Sequence, residues 1–220
     1  MARRASRTRR VSRTRRMSRT RRASRTRKPR VAGLSKKQIA FTEILADAKK
    51  ALDEAKVPFH LHSGTALGAN REHSFIEHDS DIDLGVFRRD YNSKIVPYML
   101  KNGFKLSTNM GTLKWGKEFC FIHTKHDIGL DIFIVYEDTL DGKPINWVAS
   151  YYGKCNDMKY GFCRWAYRPY TPVHVVLNGI PVMSAPISAL EDGYGPNWRV
   201  PKKFDYFEGL ESGYTNLIKE

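Results

Sequence analysis

The sequence predicts an α/β domain, a mixed sheet of the α+β kind with flanking helices and a C-terminal hairpin, over residues 34–220, preceded by a disordered basic tail at 1–33. Three observations carry this. A capping-box pattern opens a long helical stripe, short apolar strands then alternate with helices, and an Asn-Gly pair joins two late β-branched runs.

Charge separates the two parts. The chain has 220 residues with 38 basic and 23 acidic side chains, a net charge of +15. Fourteen Arg and one Lys fall in the first thirty residues, which contain no acid, so the tail alone accounts for the excess. The remaining 190 residues hold 23 basic and 23 acidic side chains and are neutral. A basic binding fold would spread its cations over its own surface, so whole-chain charge does not describe the domain.

The tail repeats a six-residue unit, ASRTRR, VSRTRR, MSRTRR and ASRTRK, from residue 5 to 28. Without large apolar side chains it cannot offset its conformational entropy, and disorder is expected. Its guanidinium forks suit phosphate oxygens, so residues 3–30 are expected to bind a polyanion, nucleic acid or an anionic surface, in a sequence-blind and salt-dependent way. A merely solubilising tail and an Arg- and Ser-rich leader are further readings of the same composition.

The body then follows in order. Ser35 and Gln38 form the capping box, and Ile39, Phe41, Ile44, Leu45, Ala48, Leu52 and Ala55 recur at helical spacing to about Lys56. Pro58 ends that helix, and Phe59 to Ser63 reads as a short strand entering a turn at Gly64. A short helix from Thr65 to about Arg71 precedes a strand from Asp81 to Phe87 with period-two alternation. A second helix is expected over about 91–102, interrupted by Pro97, then strands near 104–108, 118–124 and 130–136. Val173–Leu177 and Ile180–Met183 flank Asn178 and Gly179, a type I′ hairpin signal.

Three cysteines, at 120, 155 and 163, are sparse and odd in number, which predicts reduced thiols and a reducing compartment. No stretch is long and apolar enough for a transmembrane segment, and no signal peptide is evident. A cytoplasmic, nuclear or virion-associated setting follows.

The chemistry concentrates in HDSDIDLGVF, residues 78–87. Side chains at i and i+2 of a strand share a face, so Asp79, Asp81 and Asp83 project together while Ile82, Leu84 and Val86 face the core. Crowded carboxylates repel unless a cation neutralises them, and clustered hard oxygens select Mg²⁺ or Mn²⁺. Asp131, flanked by apolar residues in GLDIFIVY, is a further acid on a buried strand and a candidate for the same metal site. His60, His62, His73 and His78, with Cys155 and Cys163, lack the spacing of a structural zinc site.

Gly64, Thr65, Leu67, Gly68, Arg71, Phe75, Ile76, Asp79, Asp81, Ile82 and Asp83 resemble, without a gap, the pattern of the LicD/fukutin family of the nucleotidyltransferase superfold. Tyr194, Gly195, Trp198 and Pro201 resemble its closing Tyr-Gly motif. Ser80 departs from the pattern, where bacterial members often carry Asp, and the section from 111 to 171 offers no further match. The resemblance implies metal-dependent transfer of a phosphorylated alcohol, such as phosphocholine or ribitol phosphate, from a CDP-linked donor to a glycan hydroxyl. It implies Asp81, Asp83 and Asp131 as catalytic residues, with Asp79 a metal ligand or a group that orients one. Gly64, Thr65, Gly68 and Arg71 would bind phosphate, their backbone N–H groups near a helix start and a forked cation suiting that task.

Two other readings remain open: a nucleotidyltransferase acting on nucleic acid or a small molecule, and a non-catalytic packaging protein that uses the Arg-rich tail. Each repeat sets two Arg ahead of a Ser, at Ser6, Ser12, Ser18 and Ser24. Phosphorylation by a basophilic kinase adds about −1.5 to −2 charge at each site. Tail affinity for a DNA duplex, measured by salt titration, should therefore drop sharply on phosphorylation, and equal binding by both forms would refute the switch.

Overall fold

The computed structural model describes residues 33–151, 155, 161–202 and 216–218. The repeat tail and its expected polyanion contacts lie outside the described residues.

The first helix, α1 (Lys36–Ala55), starts where the capping box puts it. Ser35 Oγ accepts from Gln38 N at 3.2 Å and Gln38 Oε1 accepts from Ser35 N at 3.0 Å, so two orphan donors of the first turn are satisfied reciprocally. Ser35 Oγ also donates to Glu77 Oε2 at 3.0 Å, tying the helix start to the loop that leads to the acidic strand. Lys56 ends α1 in the left-handed region at φ 57°.

β1 (His60–Leu61) and α2 (Ser63–Arg71) follow, joined at Ser63, whose φ of 41° turns the chain sharply from strand into helix. β2 (Asp81–Phe87) carries the acidic motif. A 3₁₀ turn at Arg88–Asp90 leads to α3 (Ile95–Lys101). The expected helix over 91–102 is thus shorter, and Pro97 does not interrupt it. Pro97 is the third residue of the first turn, where a backbone N–H has no intrahelical acceptor to lose.

β3 (Phe104–Thr112) runs past its expected end at 108, through a register shift between Leu106 and Thr108. β4 (Gly116–His123) and β5 (Ile128–Leu140) then pair antiparallel. β6 (Lys143–Ser150) and β7 (Cys163–Tyr167) were not legible in the sequence. β8 (Val173–Leu177) and β9 (Ile180–Ser184) form the expected hairpin, with Asn178 at φ 48° and Gly179 at φ 85°, both positive as a type I′ turn requires. α4 (Ile187–Tyr194) closes the described order of elements.

The strands run β3-β4-β5-β2-β1-β9-β8, with β6 pairing β5 and β7. β2 and β5 are parallel, as are β1 and β9, so the sheet is mixed as expected. The thirteen residues of β5 serve three neighbours: Ile128 to Phe133 pair β4, Gly129 to Val135 pair β2, and from Tyr136 onward they pair β6. One apolar cluster joins Phe41, Ile44 and Leu45 of α1 to Ile82, Leu84 and Val86 of β2 and to Ile132 of β5. A smaller one gathers Phe87, Val135, Val148 and Trp165 around Cys155 and Cys163.

Those two cysteines form a disulfide, with Cα atoms 4.9 Å apart, and only Cys120 is free. This corrects the expectation of three reduced thiols: the chain returns from β6 into β7 so that two cysteines eight residues apart meet. Among the described residues no helix is long and apolar enough to cross a membrane.

Replacing Ser35 with Ala removes both the N-cap acceptor and the bond to Glu77. It should cost about 1 kcal/mol of stability, read as a lower denaturant midpoint at unchanged slope.

Candidate active site and metal centre

The alternation of β2 places Asp81 and Asp83 on the face opposite Ile82, Leu84 and Val86, which are fully buried. Parallel pairing then sets Asp131 of β5 directly beside Asp83, with Gly129 beside Asp81. On its other side Asp131 pairs with Cys120 of β4. One ligand atom from each of Asp81, Asp83 and Asp131 lies within 4.8 Å of the others.

The turn into α2 is fastened to this cluster. Asp83 Oδ2 accepts from Gly64 N at 3.0 Å, and Asp83 N donates to Thr65 Oγ1 at 2.8 Å. His62 N donates to Asp83 O at 3.0 Å, so three residues of the turn, 62, 64 and 65, bond to one aspartate. A Cβ at Gly64 would sit 3.0 Å from Asp79 Oδ2 and 3.3 Å from Asp83 Oδ2. Both carboxylates therefore crowd a backbone that only glycine leaves open. Asp79, which precedes β2, thus lies against the same glycine turn but outside the group of three converging carboxylates.

The other sequence-predicted positions lie around the helix. Gly68 packs under the loop after α2, where a Cβ would meet Ser74 O at 2.6 Å. Arg71 Nη2 bonds Glu72 Oε1 at 2.7 Å and Nη1 donates to Trp198 O at 3.4 Å, which joins the helix end to the closing Tyr-Gly segment. Its Nε is buried without a partner among the described residues.

Burial dominates the electrostatics. It pushes the carboxyls of Asp79 and Asp131 up to about 6, with the Asp81 charge adding to both. Burial also raises Asp81, and it raises Asp83 well above the carboxylate range, helped by the charges of Asp81, Asp131 and Asp79. The His60 and His62 rings are held neutral by the same desolvation, His62 down to about 4. Their ring nitrogens are engaged at His60 Nε2, 3.0 Å from Tyr170 OH, and at His62 Nδ1, 2.9 Å from Ser63 Oγ.

Sequence reasoning missed Glu118 and Cys120. They alternate on β4, and together with Asp131 they form a second group of converging ligand atoms. Glu118 is buried, its Oε2 has no partner among the described residues, and burial next to Asp131 lifts its carboxyl to about 8. The available signal was a Glu two residues before a Cys in an otherwise apolar strand.

The donor set fits a divalent cation. The group of Asp81, Asp83 and Asp131 consists of hard oxygens and is unneutralised, Glu118 adds an orphaned oxygen at its margin, and Gly64 keeps the rim clear of a side chain.

A family model described as the LicD/FKTN/FKRP nucleotidyltransferase domain matches residues 56–176. The human ribitol-5-phosphate transferase FKTN is 32% identical over 171 residues, covering 73% of this chain and 33% of that protein. An uncharacterised Caenorhabditis elegans protein is 32% identical over 160 residues, covering 71% of the chain and 41% of that protein. The chain thus spans between a third and two-fifths of these relatives. Among solved structures, ANT(2″)-Ia with adenylyl-2″-tobramycin is similar at a TM-score of 0.45 and 18% identity, over 79% of this chain and 85% of that one.

The acidic centre also sets a pH dependence. Groups whose folded pKa is raised bind protons more tightly folded than unfolded, so their contribution is full below pH 4 and is lost as pH rises through 6 for Asp79 and Asp131 and 8 for Glu118. Thermal unfolding in EDTA should show a melting temperature that falls between pH 5 and pH 8. Mg²⁺ or Mn²⁺ should restore most of it at pH 8 and little at pH 5, and Asp83→Asn should flatten both trends.

Proposed function

This chain belongs to the LicD/FKTN/FKRP nucleotidyltransferase family, and on that premise we propose that it transfers a phosphorylated alcohol from a CDP-linked donor to a glycan hydroxyl. The observation that carries this is the pairing of Asp83 with Asp131 beside Asp81, at the foot of a glycine turn that opens a helix. The ribitol-5-phosphate transferases among the relatives favour ribitol phosphate over phosphocholine as the transferred group.

Asp81, Asp83 and Asp131 would hold the cation, with Asp79 either a further ligand or a support for Asp83 through Gly64. Bound Mg²⁺ or Mn²⁺ supplies charge neutralisation for the donor diphosphate and for the oxygen that leaves. The acceptor hydroxyl oxygen forms the new bond to the phosphorus that bears the alcohol. The bridging P–O bond breaks, and CMP departs with its electron pair. Asp131 in its ionised form takes the hydroxyl proton, since it converges on the same centre as Asp81 and Asp83.

The helix start and Arg71 supply the positive end. Gly64 N–H is held by Asp83, and Arg71 Nε has no partner among the described residues, so Arg71 is the group with capacity to spare for a phosphate oxygen. Residues 3–30 are proposed to bind a polyanion and so to decide where the domain acts, in a step separate from the chemistry.

The decisive variant is Asp83→Asn. Its amide oxygen can still accept from Gly64 N–H, and neutralising a carboxyl that burial already disfavours should leave melting in EDTA equal to or above that of the original chain. Release of CMP from CDP-ribitol in Mg²⁺ should fall by roughly a thousandfold or more, the scale of losing a main electrostatic group. Undiminished Mg²⁺-dependent turnover in the folded variant would sink the assignment.

A further inference from the structure

A second donor set lies on β4, one strand out from the acidic centre. Glu118 and Cys120 are two residues apart and share a strand face, and antiparallel pairing sets Cys120 directly opposite Asp131 of β5. One ligand atom from each of Glu118, Cys120 and Asp131 lies within 4.8 Å of the others, and Cys120 Sγ stands 3.9 Å from Glu118 Oε1. Glu118 is 5% exposed, yet its Oε2 has no partner among the described residues. The adjacent cation is engaged on the other face of β4, where Lys117 Nζ bonds Gly111 O at 3.1 Å and lies over the Phe119 ring at 4.8 Å. A buried carboxylate oxygen left bare in this way asks for a ligand.

We propose that Glu118, Cys120 and Asp131 form a site for a borderline divalent cation of the Zn²⁺ class, bound through the Cys120 thiolate and distinct from the all-oxygen centre, and that filling it arrests transfer by engaging Asp131. The site stands on its own geometry, whereas the arrest rests on the transfer reading above. The chemistry of the donors selects the cation: Mg²⁺ takes oxygen alone, while a thiolate beside two carboxylates suits Zn²⁺. A tetrahedral Zn²⁺ ion, with Zn–S of about 2.3 Å and Zn–O of about 2.1 Å, sets sulfur and oxygen roughly 3.6 Å apart, so the 3.9 Å between Cys120 and Glu118 needs only a small contraction.

Three protein ligands leave the fourth position of such an ion to water. An approach exists, because Cys120 is half-buried and Thr108, its partner on the edge strand β3, is exposed. On binding, the cation gains bonds to Cys120 Sγ and to one oxygen each of Glu118 and Asp131. The S–H bond breaks, its proton passes to solvent, and nothing is oxidised or reduced. Asp131 has two oxygens: with one on the catalytic cation, the other is left for the acceptor's proton, and Zn²⁺ takes that oxygen instead.

The test is titration of the full chain with Co²⁺, which replaces Zn²⁺ and shows a sulfur-to-metal charge-transfer absorption band only when a thiolate binds it. With Cys155 and Cys163 paired, Cys120 is the free thiol that such a band reports. The band should appear in the original chain, disappear when Zn²⁺ is added, and survive an excess of Mg²⁺. Cys120→Ser should lose it, and Glu118→Gln should weaken Co²⁺ binding by about tenfold or more, each variant first shown to unfold in one cooperative transition. No band in the original chain overturns the site without recourse to any variant, and undiminished affinity in Glu118→Gln reduces it to a lone thiol and overturns it as well. The second arm follows CMP release from CDP-ribitol in saturating Mg²⁺. Zn²⁺ at the concentration that fills the site should slow release by about a hundredfold, the scale of losing a general base. Cys120→Ser, measured against its own rate in Mg²⁺ alone, should need about tenfold more Zn²⁺ or beyond for the same loss. Undiminished release with the site filled overturns the arrest and leaves the transfer reading standing. A thiolate band without any Mg²⁺-supported release overturns the transfer reading and leaves the site standing.

Discussion

The structure depends on a single pairing: parallel β2 and β5 in the register that sets Asp83 beside Asp131. A one-residue slip would rotate every side chain to the other face, sending these carboxylates into the apolar cluster and Ile82, Leu84 and Ile132 toward the site. The register is therefore enforced from the apolar side. Ile82, Leu84, Val86, Leu130, Ile132 and Ile134 are all fully buried, and their burial stabilises an arrangement that the carboxylates alone would oppose. The fold holds like charges together because the reverse faces of the same strands leave no alternative.

Thr65 shows how the site is pinned as well as assembled. Its hydroxyl accepts from the backbone of Asp83 while the Asp83 carboxylate accepts from Gly64, so strand and turn exchange bonds in both directions. Within such a loop Asp83 has little rotational freedom, and the turn cannot drift from the strand. A turn that was expected to cradle phosphate is, in this state, occupied with positioning a carboxylate. The two roles are compatible only if metal and donor reshape the bonding at Gly64 when they bind, which makes that N–H the contact most sensitive to occupancy.

Much of the site was legible because it is local. A capping box, a period-two acidic strand and an Asn-Gly hairpin each announce themselves within ten residues, and α1, β2 and the β8–β9 turn appear where those signals put them. Asp131 was also within reach, since a lone carboxylate in an apolar strand asks for a partner. Glu118 and Cys120 were not, because they matter only through the β4–β5 register, which strand spacing does not fix. The disulfide escaped for the same reason. β6 and β7 have mixed patterns because one end of β6 is exposed and the other buried, so alternation is lost. Pro97 misled by its identity: proline breaks a helix interior yet suits a first turn, and only the true start at Ile95 distinguishes the two.

The neutrality of the body acquires a physical meaning beside the acidic centre. A donor diphosphate is an anion, and the ionised carboxylates of Asp79, Asp81, Asp83 and Asp131 repel it as they repel one another. The body has no surplus of cations to overcome this, and the basic residues of the tail are a separate segment of the chain. Under the transfer reading the cation must therefore precede the donor or arrive with it, because only a neutralised cluster can accept a phosphate. The order has a second consequence. Cation binding displaces the protons that burial otherwise favours on these carboxyls, so it both admits the donor and leaves Asp131 ionised, as a base must be. A single binding event would then switch the site from a metal-free cluster that does not hold a diphosphate to an ionised, cation-neutralised one that accepts it, with the apolar reverse face of β2 and β5 holding the geometry constant throughout.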